Sequence, residues 1–284
     1  MNEAVDVTLP SGCWIEEKCH KSASLRPFCG DDEAILLEAG GVLLPAQWTT
    51  ALLARCLIQL GTLNKFTLET VRSLNVGDRE ALLLHLRRIT LGDSLSCLVV
   101  CPAKGCSEKI DLDLKVSDLI LPPYSDVQPL YDISLSEGEK TYKVSFRLPR
   151  GGDQEAVATL ARTSQQAAED LLLSRCVQSI TAEDGDAVAI SPEIATRISS
   201  AMADLDPQAE LKLNLRCPAC GGSFSALFDT ASYLSQELAG HMENIYREVH
   251  LLAFYYHWSE AEIMSMPSQK RQRYLELLAN ALGE

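Results

Sequence analysis

Leu95-Ser-Cys97-Leu-Val99-Val-Cys101-Pro-Ala-Lys-Gly-Cys106 runs alternating apolar residues into a cysteine turn, and Leu211-Lys-Leu213-Asn-Leu215-Arg-Cys217-Pro-Ala-Cys220 does so again. Beyond each turn the alternation resumes, through Ile110, Leu112 and Leu114 in the first and Phe224 and Phe228 in the second. Period-two alternation on both sides of a short turn spells strand, turn, returning strand. Each turn has Pro directly after its first Cys and Gly beside its second. Such turns point two thiolates and several backbone N–H groups inward, and two of them supply a tetrahedral Cys₄ set. The expectation is one structural Zn²⁺ per chain, held by Cys101, Cys106, Cys217 and Cys220 in a small zinc-ribbon element. Four thiolates leave no open position for water or substrate. The plain alternative is reduced cysteines in two unrelated β-turns.

The long segment between Cys106 and Cys217 would then have its ends clipped together by the metal. Closing a large loop is where such a clip stabilises most in the chain-entropy view, and structural zinc in small fingers is worth about 10–16 kcal/mol apparent. The reading around it is mainly helical, giving an α+β class. Four segments are expected: a flexible lead-in over 1–24, a helical region over 25–94, the zinc-ribbon element with an inserted hairpin and helices over 95–229, and a helical region over 230–284.

Within 25–94, Asp31-Asp32-Glu33 places acid in a first helical turn, which the helix dipole favours. Pro45 suits the first turn of a helix whose Trp48, Leu52, Leu53, Cys56 and Leu60 share a face before Gly61 closes it. Thr67 or Leu68 opens another through Val71 and Leu74. Gly77-Asp78 marks a break, with Asp78 capping a helix that buries Leu82, Leu83, Leu86 and Ile89. His85 in that helix reads as a core or boundary histidine.

In the inserted part, Asp132 to Leu148 alternates, with Glu137-Gly138-Glu139 as the hairpin turn. Helix is expected from Asp153 to Ile180 with a break near Ser164, then an acidic loop from Glu183 to Asp186. A further helix follows Pro192 and carries Ile194, Ile198, Ala201 and Met202. Near the C-terminus Met242, Ile245, Tyr246, Val249, Leu252 and Tyr256 form a stripe, Ser259-Glu-Ala-Glu262 is a capping box, and a last helix carries Tyr274, Leu277, Leu278 and Ala281. The aromatic and methionine residues of this region are either an interface or a core packed on the N-terminal helices.

The chain has 284 residues, 46% of them hydrophobic, ten cysteines, and a net charge of −14. No apolar run approaches the length of a membrane span, and no basic-then-apolar leader opens the chain. Free thiols without a leader suit a reducing compartment, so the expected location is cytoplasmic, with incorporation into a particle left open. Lys and Arg are scattered, whereas phosphate binding draws on clustered cations; no nucleic-acid partner is expected. A cytoplasmic zinc-ribbon regulator acting on nucleic acid is the alternative function. Cys13, Cys19, His20 and Cys29 make a second metal site conceivable, but their spacing matches no common ligand pattern.

Catalytic signatures are missing. Gly151-Gly152 lacks the phosphate-loop pattern, and no nucleophile elbow, His-Glu-x-x-His or deaminase pair occurs. His250 and His257 lie two turns apart, about 10 Å along a helix, too far to share a metal. A protein without catalytic residues is expected.

The order of motifs carries a resemblance. Leu25-Arg26-Pro27, Ala54-Arg55-Cys56-Leu57, Val76-Gly77-Asp78-Arg79-Glu80-Ala81 and Leu91-Gly92-Asp93 precede and lead into the cysteine turns. Glu248-Val249-His250-Leu251-Leu252-Ala253 and His257-Trp258-Ser259-Glu260 follow them. This resembles the baseplate protein family of T-even-type phages, described as baseplate hub subunit or hub assembly chaperone, with relatives in contractile injection systems. The His-Trp hairpin is also similar to small helical proteins of the same tail clusters. The resemblance implies an assembly chaperone or structural role in a phage tail-like particle. Its implied partners are baseplate, hub or tape-measure proteins.

Overall fold

The computed structural model describes residues 4–38, 43–137, 140–182, 188–242 and 244–283, without the side chains of 37, 38, 137, 241 and 242. The chain begins with a hairpin. Strand β1 (Val5–Ile15) pairs antiparallel with β2 (Lys18–Leu25), and the register shifts between Thr8 and Cys13. Residues expected as a loose lead-in are thus an ordered sheet edge. Val7, Leu9 and Leu25 anchor it, all at or below 6% exposure. The reading missed it because the polar residues between them hide the alternation.

Helices α1 (Gly30–Glu38) and α2 (Pro45–Cys56) follow, the second with Pro45 at its first position as expected. Helix α2 ends at Cys56, however, and Leu57–Leu60 is strand β3, which pairs with β2. The switch needs no loop: Leu57 takes φ −73°, ψ 126°, and the chain is extended at once. A short helix α3 (Leu68–Arg72), capped by Thr67, turns into the long α4 (Val76–Leu91). Its first helical residue is Val76 and its N-cap position is Asn75, so Asp78 does not cap it. The Asp78 carboxylate is fully buried and accepts from the Ser11 and Gly12 amides of β1 at 2.8–3.1 Å, tying α4 to the first hairpin. His85 is buried on α4 at 7% exposure, as read.

Strands β4 (Ser94–Val100) and β5 (Lys109–Lys115) form the first cysteine hairpin, closed by the one-turn α5 (Val116–Leu119). A second three-stranded sheet follows, with β6 (Tyr131–Glu137), β7 (Lys140–Phe146) and β8 (Val177–Ala182) in that order. Between β7 and β8 lie α6 (Gly151–Ala161) and α7 (Gln165–Cys176), broken at Ser164 as expected. Helix α7 stops at Cys176, so the helix expected through Ile180 is a strand beyond it. The Glu137-Gly138-Glu139 turn and the Glu183–Asp186 loop lie outside the described residues, although Glu137 and Lys140 pair across the hairpin. Helix α8 (Pro192–Leu205) is capped by Ser191 and packs Ile194, Ile198 and Met202 on this sheet.

The second cysteine hairpin is β9 (Lys212–Arg216) with β10 (Ser223–Leu227). The chain closes with α9 (Thr230–Met242), α10 (Ile245–Tyr256), α11 (Glu260–Met264) and α12 (Ser268–Leu282). The capping box at Ser259 is present, with the Glu262 amide donating to Oγ at 3.3 Å.

Among the described residues the core divides into three larger apolar clusters and a small fourth, Ala34 of α1 with Ile245 of α10 and Met264 of α11. The first joins the β1–β2 hairpin to α2, α4 and α9, through residues such as Leu9, Leu52, Leu82 and Leu234. The second sits between β6–β7–β8 and α8, around Val144, Phe146 and Ile198. The third binds the two cysteine hairpins to each other, through Leu84, Leu95, Val116 and Leu211, with Cys97, Leu213 and Phe228 against it. Helices packed around small antiparallel sheets make this an α+β fold.

Candidate metal centre

Each cysteine turn is built by its hairpin. In β4 and β5 the inward residues Leu95, Cys97, Val99, Ile110, Leu112 and Leu114 alternate with outward polar and apolar ones. The Cys101 amide donates to the Glu108 carbonyl at 2.8 Å, and the Cys217 amide to the Gly222 carbonyl at 2.9 Å, closing both loops at their necks. Gly105 and Gly221 take φ of +80° and +73°, so both turns use the left-handed region that favours glycine.

Because the third cluster holds the hairpins face to face, the four sulfurs meet. Cys101 Sγ lies 3.8 Å from Cys220 Sγ and Cys106 Sγ 3.7 Å from Cys217 Sγ. All four ligand atoms lie within 4.8 Å of one another. A tetrahedral site with Zn–S of about 2.3 Å has sulfur–sulfur edges of about 3.8 Å, so the donor set fits a tetrathiolate metal. The electrostatics agree. The Cys220 and Ala219 amides lower the Cys217 thiol to about 7, the Cys220 amide most, with burial opposing. Cys101 is pushed up to about 12, because burial and the neighbouring sulfurs outweigh the Ala103 amide. Four thiols this close cannot all ionise alone, and a soft divalent cation removes that conflict.

The other chemistry-bearing residues do not converge. Cys13 stands opposite His20 across the first hairpin and Trp14 opposite Cys19, so Cys13 and Cys19 point to opposite faces of the sheet. Cys19 Sγ lies 3.5 Å from the Ser11 carbonyl, and Cys29 sits apart in the turn before α1. Among the described residues the four cysteines of the two turns are the only grouping with metal-ligand geometry.

The C-terminal aromatics divide between the two readings given to them. Tyr256 stacks on Trp258 at 4.8 Å, Tyr274 meets both edge-on at 5.8 and 4.7 Å, and Met264 is buried. Tyr246 and Phe254 are 51% and 65% exposed on one face of α10, with His250 stacked on Phe254 at 6.2 Å. Between α10 and α12 lies an open cavity of about 340 Å³, lined by Arg247, Leu251, Leu275, Leu278 and Leu282. The sequence singled out the aromatics but missed a buried cation in the same helical region. Arg271 of α12 is 1% exposed and bonds Glu33 of α1 at 2.6 Å and Glu248 of α10 at 3.0 Å. Its only signal was a charged residue placed among the solvated ones of a helix face.

No described helix is long and apolar enough to cross a membrane. Comparison with curated proteins and with solved structures gave no match. A family model described as T4 bacteriophage base plate protein matches residues 13–234, from the end of β1 through both cysteine turns and the sheet between them. On that match, spanning well over half of the chain, the protein belongs to the T4 bacteriophage base plate protein family.

Proposed function

We propose that the protein is a non-catalytic structural or assembly component, an adaptor or chaperone for the baseplate or hub of a phage-like contractile tail, stapled internally by one structural Zn²⁺. The family match carries the baseplate role. Support for the metal is the tetrahedral spacing of Cys101, Cys106, Cys217 and Cys220. As ligands these residues form a closed set, so the metal would hold backbone and present nothing to a substrate. The exposed Tyr246, Phe254 and Tyr255 on α10 supply the apolar surface that an interface core needs, and hub or tape-measure proteins are the partners proposed for it. The net charge of −14 supports docking onto a basic protein and opposes a nucleic-acid role.

The test has two arms. Metal analysis of protein purified without chelator should give about one zinc per chain, lost when Cys217 and Cys220 are changed to serine. Tagged protein expressed in cells assembling the tail should co-purify with baseplate or hub components. Zinc-free wild-type protein would remove the metal, and recovery of the folded protein alone would remove the assembly role.

A further inference from the structure

Two stretches of this chain carry the same hydrogen-bonded clamp. After β2, Leu25 pairs with Leu57 just past a bulge at Ile58 of β3, and the Arg26 amide donates to the Cys56 carbonyl at 2.9 Å. The Arg26 guanidinium grips both oxygens of Asp32 at 2.6 and 3.0 Å and the Arg55 carbonyl at 2.8 Å. Arg55 Nε and the Cys29 amide complete Asp32 at 2.7 and 3.0 Å. After β7, Phe146 pairs with Val177 just past a bulge at Gln178 of β8, and the Arg147 amide donates to the Cys176 carbonyl at 3.1 Å. Arg147 grips both oxygens of Asp153 at 2.6 and 3.0 Å and the Arg175 carbonyl at 2.9 Å. Arg175 Nε and the Arg150 amide complete Asp153 at 2.8 and 2.9 Å. The residue order agrees as well. Leu25-Arg26-Pro27 through Gly30 and Asp32, then Arg55-Cys56-Leu57, matches Phe146-Arg147 through Pro149, Gly151 and Asp153, then Arg175-Cys176-Val177.

The cysteine hairpins correspond in the same way. Leu95, Cys97 and Val99 stand before Cys101 as Leu211, Leu213 and Leu215 stand before Cys217. Ile110, Leu112 and Leu114 stand after Cys106 as Phe224, Ala226 and Phe228 stand after Cys220. The neck hydrogen bond runs from the first Cys to the residue two beyond the second in both. One such clamp is a common local solution. Two, in the same order relative to a hairpin, a helix, a third strand and a cysteine turn, point to one unit used twice.

The turns of the two clamps also receive alike partners. Asn75, before α4, bridges to Arg150, and Pro267, before α12, bridges to Cys29. Each bridge follows a five-residue helix with a capping box, at Thr67 and Ser259, and lies four residues before a fully buried arginine, Arg79 or Arg271. The helix pair that fills the first clamp lies beyond residue 234, outside the family match.

We infer that the chain is a tandem duplication, and that the tetrathiolate site is the seam at which its two halves meet, one cysteine turn from each. The sulfur contacts carry the signature of a two-fold relation: the first Cys of one turn meets the second Cys of the other, Cys101 with Cys220 and Cys217 with Cys106. Such reciprocity defines an isologous contact. The metal, a soft divalent cation such as Zn²⁺, fastens two copies of one unit and so sets how the halves face each other in the assembled particle. This part of the inference rests on the metal reading above.

Equivalent turns are interchangeable, and that is the test. Lys104 and Gly105 are deleted, giving the first turn the Cys-Pro-Ala-Cys spacing of the second; in a separate chain Lys-Gly is inserted after Ala219. Full-length proteins are titrated with Co²⁺, whose tetrathiolate absorption reports the site directly. Both variants should bind one metal per chain with an affinity within about 100-fold of the parent, the upper end of what changes beyond the ligands cost. Separately, Cys101→Ser with Cys106→Ser, and Cys217→Ser with Cys220→Ser, should each remove all of the bound metal. A parent that binds no Co²⁺ refutes the metal reading and the seam with it. A parent that binds while both folded exchange variants do not refutes the equivalence of the halves. Half the metal surviving loss of either turn refutes the shared site.

Discussion

Replacing Asp32 with Asn keeps the shape of the first clamp and removes its charge. In the wild-type protein the carboxylate is fully buried and accepts from Arg26 twice, from Arg55 and from the Cys29 amide. Breaking a buried ion pair costs about 3–5 kcal/mol. Arg26 and Arg55 keep 24% and 33% of their side-chain surface in water, so the stranded cations stay partly solvated and the lower end applies. A second route agrees. Burial raises the Asp32 carboxyl, but Arg26, the Cys29 amide and Arg55 outweigh it and bring it from 3.8 to about 2, a difference worth about 2 kcal/mol. The expected loss is therefore about 2–3 kcal/mol, or about 3–5 °C in midpoint for a chain of this size. The folded carboxyl titrates below the unfolded one. Its contribution is therefore complete above about pH 4 and disappears as the pH falls through about 2. Thermal unfolding of wild type and Asp32→Asn, compared from pH 7 to pH 2, should show a deficit that is full at neutral pH and closes on acidification. Acid also strips metal from thiolates, but it does so in both proteins, so the difference between them isolates the clamp. Wild-type stability for the variant at pH 7, or a deficit that persists unchanged at pH 2, would refute the reasoning. Asp153, lowered through Arg147, the Arg150 amide and Arg175 against the same opposing burial, should behave in the same sense when changed to Asn.

Arg271→Met removes the cation between Glu33 and Glu248 and should cost about 3–5 kcal/mol, with hydrogen exchange of α10–α12 accelerating before that of α4. Tyr246→Ser with Phe254→Ser changes only exposed side chains and should move stability by no more than about 0.5 kcal/mol each, while weakening capture of baseplate partners; a stability collapse would assign the aromatics to the core instead. Burial pushes the Asp78 carboxyl up to about 7 against the Ser11 and Gly12 amides. Its folded value lies above the unfolded one, so it favours folding most below about pH 4, and stability should fall as the pH rises to about 7. In Asp78→Asn, chemical unfolding between pH 5 and 8 should show a shallower slope, the remainder belonging to Glu80, which burial also pushes up to about 7.

The apolar alternation around the cysteine turns was legible in the sequence because each hairpin has one face on the third cluster and one in water, which imprints a period of two. The capping box at Ser259 and the helix start at Thr67 or Leu68 were legible in the same way, since a cap is a local hydrogen bond between near neighbours. What failed is more informative. The helix ending at Cys56 was carried on to Leu60, and the helix ending at Cys176 was carried on to Ile180. These are one misreading made at two corresponding places. Neither junction has Gly or Pro to mark it, and Leu57 and Val177 leave the helix with nearly the same dihedrals, −73°, 126° and −74°, 125°. What stops each helix is distant in sequence. The carbonyls of Arg55 and Arg175 are taken by the guanidiniums of Arg26 and Arg147, and the next residue is claimed by a strand laid down about thirty residues earlier. A periodicity count over one window has no access to that contact, and the first hairpin was lost for the related reason that its core residues are apolar only where α2, α4 and α9 reach them. The duplication, by contrast, was present in the letters Arg-Pro-Gly-Asp and Arg-Cys all along. It becomes recognisable once the clamp shows why those residues, and not the apolar ones between them, must recur.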